Sequence, residues 1–451
     1  MSPEIIGLLM IGCMLFAIFV GFPISFTLIF LGTVFGYWGM SNPSLVFYLE
    51  TLQISSVMME QTLSAVPLFI FMGILMEQAG LMERLFTAVQ LMLSRVRGSL
   101  YIAVLFVSTI FAAATGIVGA SVTILGIMAA KTMNRSGYSV QLSAGAITAG
   151  GTLGILIPPS IMLVVMGPIL EVPVIDLFAA AIIPGIMMAF LYVGYALVRC
   201  WMNPSLGPVL PVEYRADSLW IVFREFFLGL VPPAALVGFA LGSILLGLAT
   251  PTEGAAMGAF GAFLLTVAYR RLTWQGFKGA LLKTLEISVL ILFLVAASNF
   301  FGAVFSKLGT PTMVTNYLLT LDLAPYMILL LIMALIFLLG WPLEWVPIVL
   351  IIVPILLPVV RGLEMEGLLA DVHNRLIWFG ILVAVNLQTA WLSPPVALSA
   401  YFLKGVAPEW DLKDIYLGMM QFMVIQLIGL ILIIVFPQIA LWLPAYFDAN
   451  R

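Results

Sequence analysis

The stretch Gly150-Gly151-Thr152-Leu153-Gly154-Ile155-Leu156-Ile157-Pro158-Pro159-Ser160 lies inside the apolar run 141–167. A second, Asn386-Leu387-Gln388-Thr389-Ala390-Trp391-Leu392-Ser393-Pro394-Pro395-Val396, lies inside the run 376–403. Each run exceeds the roughly 20 residues that a membrane-crossing helix needs. An interior proline removes an N–H donor and costs about 3 kcal/mol or more. Two in succession free backbone carbonyls, and a carbonyl inside lipid must find a partner. Sodium, a hard cation that takes oxygen ligands, is such a partner. One Pro-Pro on its own reads equally well as a kink, because neighbouring helices can satisfy the freed groups. Two in corresponding places, each following a polar tip earlier in its half, point to broken helices.

The composition around these runs is that of a membrane protein. Of 451 residues, 63% are hydrophobic and 9% charged, against about a quarter charged in soluble domains. The net charge of −3 gives no nucleic-acid signal. Cys13 and Cys200, far apart in apolar surroundings, suggest neither a disulfide framework nor a metal site. Met1-Ser2-Pro3-Glu4 lacks a basic n-region, so the first apolar run reads as a retained helix.

Candidate spans are 5–20, 22–40, 63–82, 99–114, 121–131, 141–167, 178–199, 226–248, 251–269, 284–306, 323–340, 346–360, 376–403 and 415–443. Several are too short to cross. Basic residues gather at Arg84/Arg95/Arg97, Lys131/Arg135, Arg199/Arg215/Arg224, Arg270/Arg271/Lys278/Lys283 and Lys404/Lys413, which marks those connections as cytoplasmic. The pattern closes only if 99–114 and 121–131 enter and leave on one side, and 323–340 and 346–360 on the other. Two re-entrant hairpins are therefore expected, one from each face, with both termini outside.

The fold class that follows is an all-α polytopic membrane protein built from two inverted-topology repeats. The first repeat, 1–199, holds arm helices, a hairpin near 99–131 and a broken helix at 141–167. A polar stretch, 200–225, reads as a cytoplasmic linker. The second repeat, 226–451, holds arms, a hairpin near 323–360 and a broken helix at 376–403. Inverted repeats place a binding site at the bilayer midplane between them.

Several segments resemble the large membrane subunit of the tripartite ATP-independent periplasmic (TRAP) transporters. They are Gly151 to Ser160, Thr250-Pro251-Thr252-Glu253-Gly254-Ala255-Ala256, and Val66-Pro67-Leu68-Phe69-Ile70 with Gly73. Ser393-Pro394-Pro395-Val396-Ala397 stands where most members read Thr-Pro-Pro-Val-Gly. The tip Thr115-Gly116 to Ser121 is less serine-rich than usual. The resemblance implies a sodium-driven symporter fed by a periplasmic substrate-binding protein, with a small four-helix membrane partner. It also implies elevator-type motion of a transport domain against a scaffold, and a small organic acid as substrate, with 2-oxo acids and dicarboxylates foremost.

Within that frame, Thr115, Gly116, Gly119 and Ser121 with Gly150, Gly151, Thr152 and Gly154 are expected to form one sodium site. Glycine lets carbonyls approach a ligand closely. By repeat symmetry, Gly340 with Thr389, Ser393 and Pro394 forms a second. Close packing of helices through small residues is the competing reading. Pro158, Pro159, Trp341, Glu344, Asn386 and Gln388 are candidates for substrate contact or gating; an intramembrane acid such as Glu344 is a functional candidate by default. Glu253 reads instead as part of a helix N-cap with Thr250. The charged loop Arg361, Glu364, Glu366, Asp371, His373 and Arg375 reads as a solvated outer loop that also suits docking of a binding protein. No Arg or Lys falls within the expected midplane elements, which disfavours a highly charged substrate held by the chain alone.

Other classes fit less well. The sole histidine, His373, lies in that outer loop, so no intramembrane Ser–His pair forms, and no aspartyl dyad or metal-ligand spacing appears. A channel would want a continuous polar pore or charged ring. A dicarboxylate or citrate symporter working without a binding protein is the nearest alternative.

Overall fold

The computed structural model describes residues 1–40, 42–115, 118–211, 219–320, 323–341, 343, 345–394 and 397–449. Among them there are helices and turns and no strand. Among the described residues, eight helices are long and apolar enough to cross a membrane. Large apolar side chains such as Phe16, Phe26, Trp201, Trp220 and Phe239 point outward. This is the surface of a multi-pass membrane protein, since water would leave such an exterior uncovered.

The arms of the two halves are exchanged. Pro3–Val20 packs on Thr310–Leu319, where Thr310 Oγ1 donates to the Glu4 carbonyl at 3.0 Å. Reciprocally, Leu219–Leu245 packs on Leu81–Met92. A Cβ on Gly229 would stand 2.8 Å from the Leu85 backbone nitrogen, so only glycine allows that approach. Ile24–Gly39 lies on Trp274–Lys307, and Pro251–Ala268 lies on Ala65–Gln78, where Thr266 Oγ1 donates to the Leu75 carbonyl at 3.1 Å. Thr250 and Glu253 form the expected reciprocal cap at the start of Pro251–Ala268.

The helices differ from the sequence reading in places. Ser44–Met59, Leu81–Met92, Thr310–Leu319 and Gln438–Asp448 were not anticipated. They are short and carry polar residues (Glu50 and Gln53, or Glu83 and Arg84), so they fail a test tuned to crossing segments. The stretch 415–443 is not one span: Leu412–Val435 stops at Phe436-Pro437 before Gln438–Asp448 begins, as proline does to a helix. Within 200–225, Pro204–Leu206 forms a tight turn, residues 212–218 lie outside the described residues, and helix resumes at Leu219.

The helix Val174–Met202 runs the depth of the molecule, about 43 Å at 1.5 Å per residue. It serves as a ruler for the elements that matter most.

Candidate transport site

Two helical pairs fold back on themselves, and they start from opposite ends of Val174–Met202. In the first, Ser99–Thr115 leads to Val118–Arg135. Both feet rest on the turn after Met202. Ser99 Oγ lies 3.2 Å from the Tyr138 hydroxyl, Gly98 N donates to Gly207 O, and Ser139 N donates to Leu206 O. In the second, Pro325–Gly340 runs parallel to Val372–Leu392: Met333 meets Asn386, and Gly340 meets Ala390. The chain then returns through Trp345–Pro347, one wide π turn at Ile348–Ile352, and Val353–Gly362.

The feet of this second pair sit at the other end of the ruler. Arg375 is 4% exposed and donates to the carbonyls of Val360, Arg361, Leu369 and Ala370. Nearby, Arg361 pairs with Glu171 at 2.7 Å, and His373 Nε2 lies 3.2 Å from Asp176 Oδ2 in the first turn of Val174–Met202. The expected solvated loop is thus partly internal, because Arg375 neutralises carbonyls at a helix C-terminus. Its burial was not visible from its charged neighbours.

Each double proline breaks its helix. Val140–Thr152 tightens into a 3₁₀ turn at Leu153–Ile155, and helix resumes at Ile161–Leu170. Pro158 has no N–H to meet the Gly154 carbonyl, and Pro159 none for Ile155. Ser160 Oγ takes the Ile155 carbonyl at 2.7 Å. The Pro158–Pro159 peptide is cis. Val372–Leu392 stops at Ser393-Pro394, and Leu398–Val406 follows. Pro395 and Val396 lie outside the described residues. Ala397 has φ +28°, a region that side chains rarely adopt.

At the first break, Gly150 and Gly151 pack against the two limbs of the first fold-back pair. A Cβ on Gly150 would stand 2.4 Å from Ser108 Oγ on one limb of the first pair, and one on Gly151 would stand 2.4 Å from Val122 Cγ2 on the other. Gly119 abuts Phe402 of the second half, and Ser121 is buried. The glycines are therefore packing surfaces as well as candidate ligands. Thr115 ends its limb; its side chain, and Gly116, lie outside the described residues. Gly154 lies in the 3₁₀ turn, with Pro158 and Pro159 buried just beyond.

Around the second break, Thr389 Oγ1 donates to Asn386 O at 2.5 Å and Ser393 Oγ to Thr389 O at 2.7 Å. Asn386 Nδ2 donates to Met333 O, leaving its Oδ1 without a protein partner. Gly340 is buried against Ala390, Pro394 is half-buried, and Trp341 is partly exposed against Phe337. Glu344 lies outside the described residues. The two breaks meet: Thr152 Oγ1 is 3.4 Å from Gln388 Oε1, and Gln426 Nε2 donates to the same oxygen at 3.0 Å.

The donor set suits a hard monovalent cation. It is neutral oxygen throughout, and a hydroxyl that gives its proton to a carbonyl still offers lone pairs. Among the described residues no group of three or more His, Cys, Asp or Glu side chains could hold a metal ion.

Two cavities flank these breaks. One of about 410 Å³ lies between Glu60, Asn299, Pro168 and the return limb at Leu350 and Pro354. The other, about 590 Å³, lies between Glu77, Lys283, Glu286, Gly119, Trp391 and Phe402. Lys283, counted above with a cytoplasmic cluster, lines this cavity. Gln426 was also missed, although a glutamine within the apolar span Leu412–Val435 was a usable signal.

The family model for the tripartite ATP-independent periplasmic transporter, DctM component, matches residues 11–439. The sialic acid TRAP transporter large permease protein SiaM of Vibrio cholerae is 30% identical over 431 residues, covering 95% of this chain and 96% of that protein. The C4-dicarboxylate TRAP transporter large permease protein DctM of Pseudomonas aeruginosa is 30% identical over 386 residues, covering 85% and 86%. The Alcanivorax borkumensis YdaH transporter shares the fold, with a TM-score of 0.63 at 14% identity, covering 100% of this chain and 99% of that one. Near-complete coverage by the family model, together with relatives 30% identical over most of their length, leaves one assignment: the chain belongs to the large permease (DctM component) family of the tripartite ATP-independent periplasmic transporters.

Proposed function

We propose that the chain is the substrate-translocating subunit of a sodium-coupled symporter in a bacterial inner membrane, with both termini on the periplasmic side. It carries a small organic acid, of the 2-oxo acid or dicarboxylate type, handed over by a periplasmic binding protein. A small membrane subunit completes the complex. The relatives named for sialic acid and C4-dicarboxylates support an organic anion as cargo.

The observation that carries this reading is the pair of broken helices, each backed by a fold-back pair starting from the opposite end of Val174–Met202. Read in a bilayer, these pairs are re-entrant hairpins and the halves are inverted repeats, 1–199 and 226–451 joined by 200–225. The reciprocal packing of the arms supports that symmetry. The arms form a scaffold. The hairpins and broken helices form a transport domain that moves as an elevator between the two cavities. Sodium binds first at Gly150, Gly151, Thr152 and Gly154 with the tip around Gly119 and Ser121, and also at Gly340, Thr389, Ser393 and Pro394. The ion supplies positive charge that neutral oxygen ligands cannot, which lets an organic anion enter a site lined by hydroxyls and half-helix ends.

Uptake into proteoliposomes holding the full complex tests this. Saturable uptake of an organic acid that needs both an inward sodium gradient and the binding protein is expected. Uptake by the chain alone, without a binding protein, would favour a dicarboxylate or citrate-type symporter instead. Conductance without saturation would reject both.

A further inference from the structure

We propose that Gln426 and Gln388 form a hydrogen-bonded bridge that couples the two sodium centres, with Gln426 as its positioning residue. The proposal rests on the sodium-symport reading above. Gln388 precedes Thr389 of the second centre, and its Oε1 lies 3.4 Å from Thr152 Oγ1 of the first. Gln426, on a different helix, holds Gln388 in place: its Nε2 donates both to Gln388 Oε1 at 3.0 Å and to the Val385 carbonyl at 2.9 Å. Thr152, Gln388 and Gln426 are each 0% exposed.

The bridge is incompletely satisfied within the protein. Gln388 Nε2 and Gln426 Oε1 have no protein partner. A packing role would be served better by two apolar side chains of the same size, which leave no polar atom unmet. The spare atoms instead give the pair a second arrangement. Turning both amides places Gln388 Nε2 against Gln426 Oε1 and toward Thr152 Oγ1 and reverses the polarity of the bridge, but gives up the Gln426 Nε2 bond to the Val385 carbonyl, so this arrangement is the higher one until a cation favours it.

Thr152 links that choice to the first centre. Its single hydroxyl proton faces two acceptors, Ala149 O at 2.8 Å and Gln388 Oε1 at 3.4 Å. It serves one at a time. A cation at the first centre that draws on the Thr152 oxygen or on the neighbouring carbonyls changes which acceptor is served. Gln388 then presents oxygen or nitrogen to match, one residue from Thr389. A two-state element biased from both sites is the physical requirement for coupling, and the coupling is reciprocal.

The test is a sodium chloride titration of the purified full-length chain, at constant ionic strength held with choline chloride, read by tryptophan fluorescence. Wild type is expected to respond with a Hill coefficient above 1. Gln426→Met and Gln388→Met, measured side by side, should keep a sodium response whose coefficient falls to about 1. Half-saturation should rise about fivefold or more, the usual lower range of coupling. Their thermal midpoints in choline should match or exceed wild type. A coefficient unchanged in either variant overturns the bridge while leaving sodium binding intact. So does a lowered midpoint with unchanged coefficient, which is the mark of a merely structural residue. A wild type without any sodium-specific response overturns the sodium reading itself.

Discussion

Asn386 Nδ2 donates to the Met333 carbonyl oxygen at 2.8 Å, so the second broken helix grips the fold-back limb beside it. Both residues are deeply buried, at 1% and 4% exposure, and Asn386 Nδ2 also lies 4.0 Å from Met333 Sδ. Asn386→Ala is expected to lower stability by about 1–3 kcal/mol, the usual cost of breaking a buried hydrogen bond. Thermal unfolding in detergent measures it. A midpoint equal to wild type would mean that the limb is held by apolar packing alone.

Gly151 and Thr389 test the two ion centres separately. A valine at 151 drives its Cβ to 2.4 Å from Val122 Cγ2, with the Val122 backbone nitrogen only 3.3 Å away, so the fold-back limb must move. Thr389→Ala removes the hydroxyl oxygen together with the γ-methyl, and Thr389→Val, which keeps the shape, serves as its control. Both variants should need several-fold more sodium for half-maximal uptake. Unchanged sodium curves in both would reject the assigned ligands.

Topology is open to labelling. In a background without Cys13 and Cys200, Arg97→Cys and Arg135→Cys should react with an impermeant thiol reagent from the inside. Lys307→Cys and Arg361→Cys should react from the outside. Reaction from opposite sides within either pair removes that hairpin.

Ala397 sits at φ +28°. Glycine adopts such a backbone without a Cβ penalty. Ala397→Gly should raise stability by about 1 kcal/mol, the lower end of the cost of such strain, and Ala397→Val should lower it. Paired unfolding curves decide the sign.

Arg375 gives four donations to carbonyls at the foot of the second fold-back pair. Arg375→Met should cost about 3 kcal/mol or more by stranding buried carbonyls. Arg375→Lys should recover only part of that, because an ammonium lacks the planar fork. Limited proteolysis between 362 and 371 should rise in both variants. Equal resistance in wild type and Arg375→Met would show that the loop needs no pin.

Much of the architecture was legible because lipid imposes few solutions. Apolar run lengths gave the crossing helices, and the double prolines at 158–159 and 394–395 gave the two breaks. Charge placement required two segments to leave and return at one end, and Ser99 with Tyr138, and Arg375 with Val360, are the contacts found at those feet. What was hidden depends on partners distant in sequence. Leu81–Met92 reads as polar loop until its apolar face is set beneath Leu219–Leu245. Lys283 looked like one of a run of cytoplasmic charges, yet it lines a cavity opposite Glu77. Gln426 lay in plain view in an apolar span, but only three-dimensional contact ties it to Gln388 and Thr152.

The swapped docking of the short helices also governs how the chain must be made. Leu85 and Phe86 leave the ribosome long before Gly229 exists to cover them, and the mate of Pro3–Val20 arrives later still. The nascent N-terminal portion therefore waits with a greasy face that only lipid or a chaperone can shield. Fragments severed at the linker would keep their internal packing but leave these faces bare until they met in the bilayer.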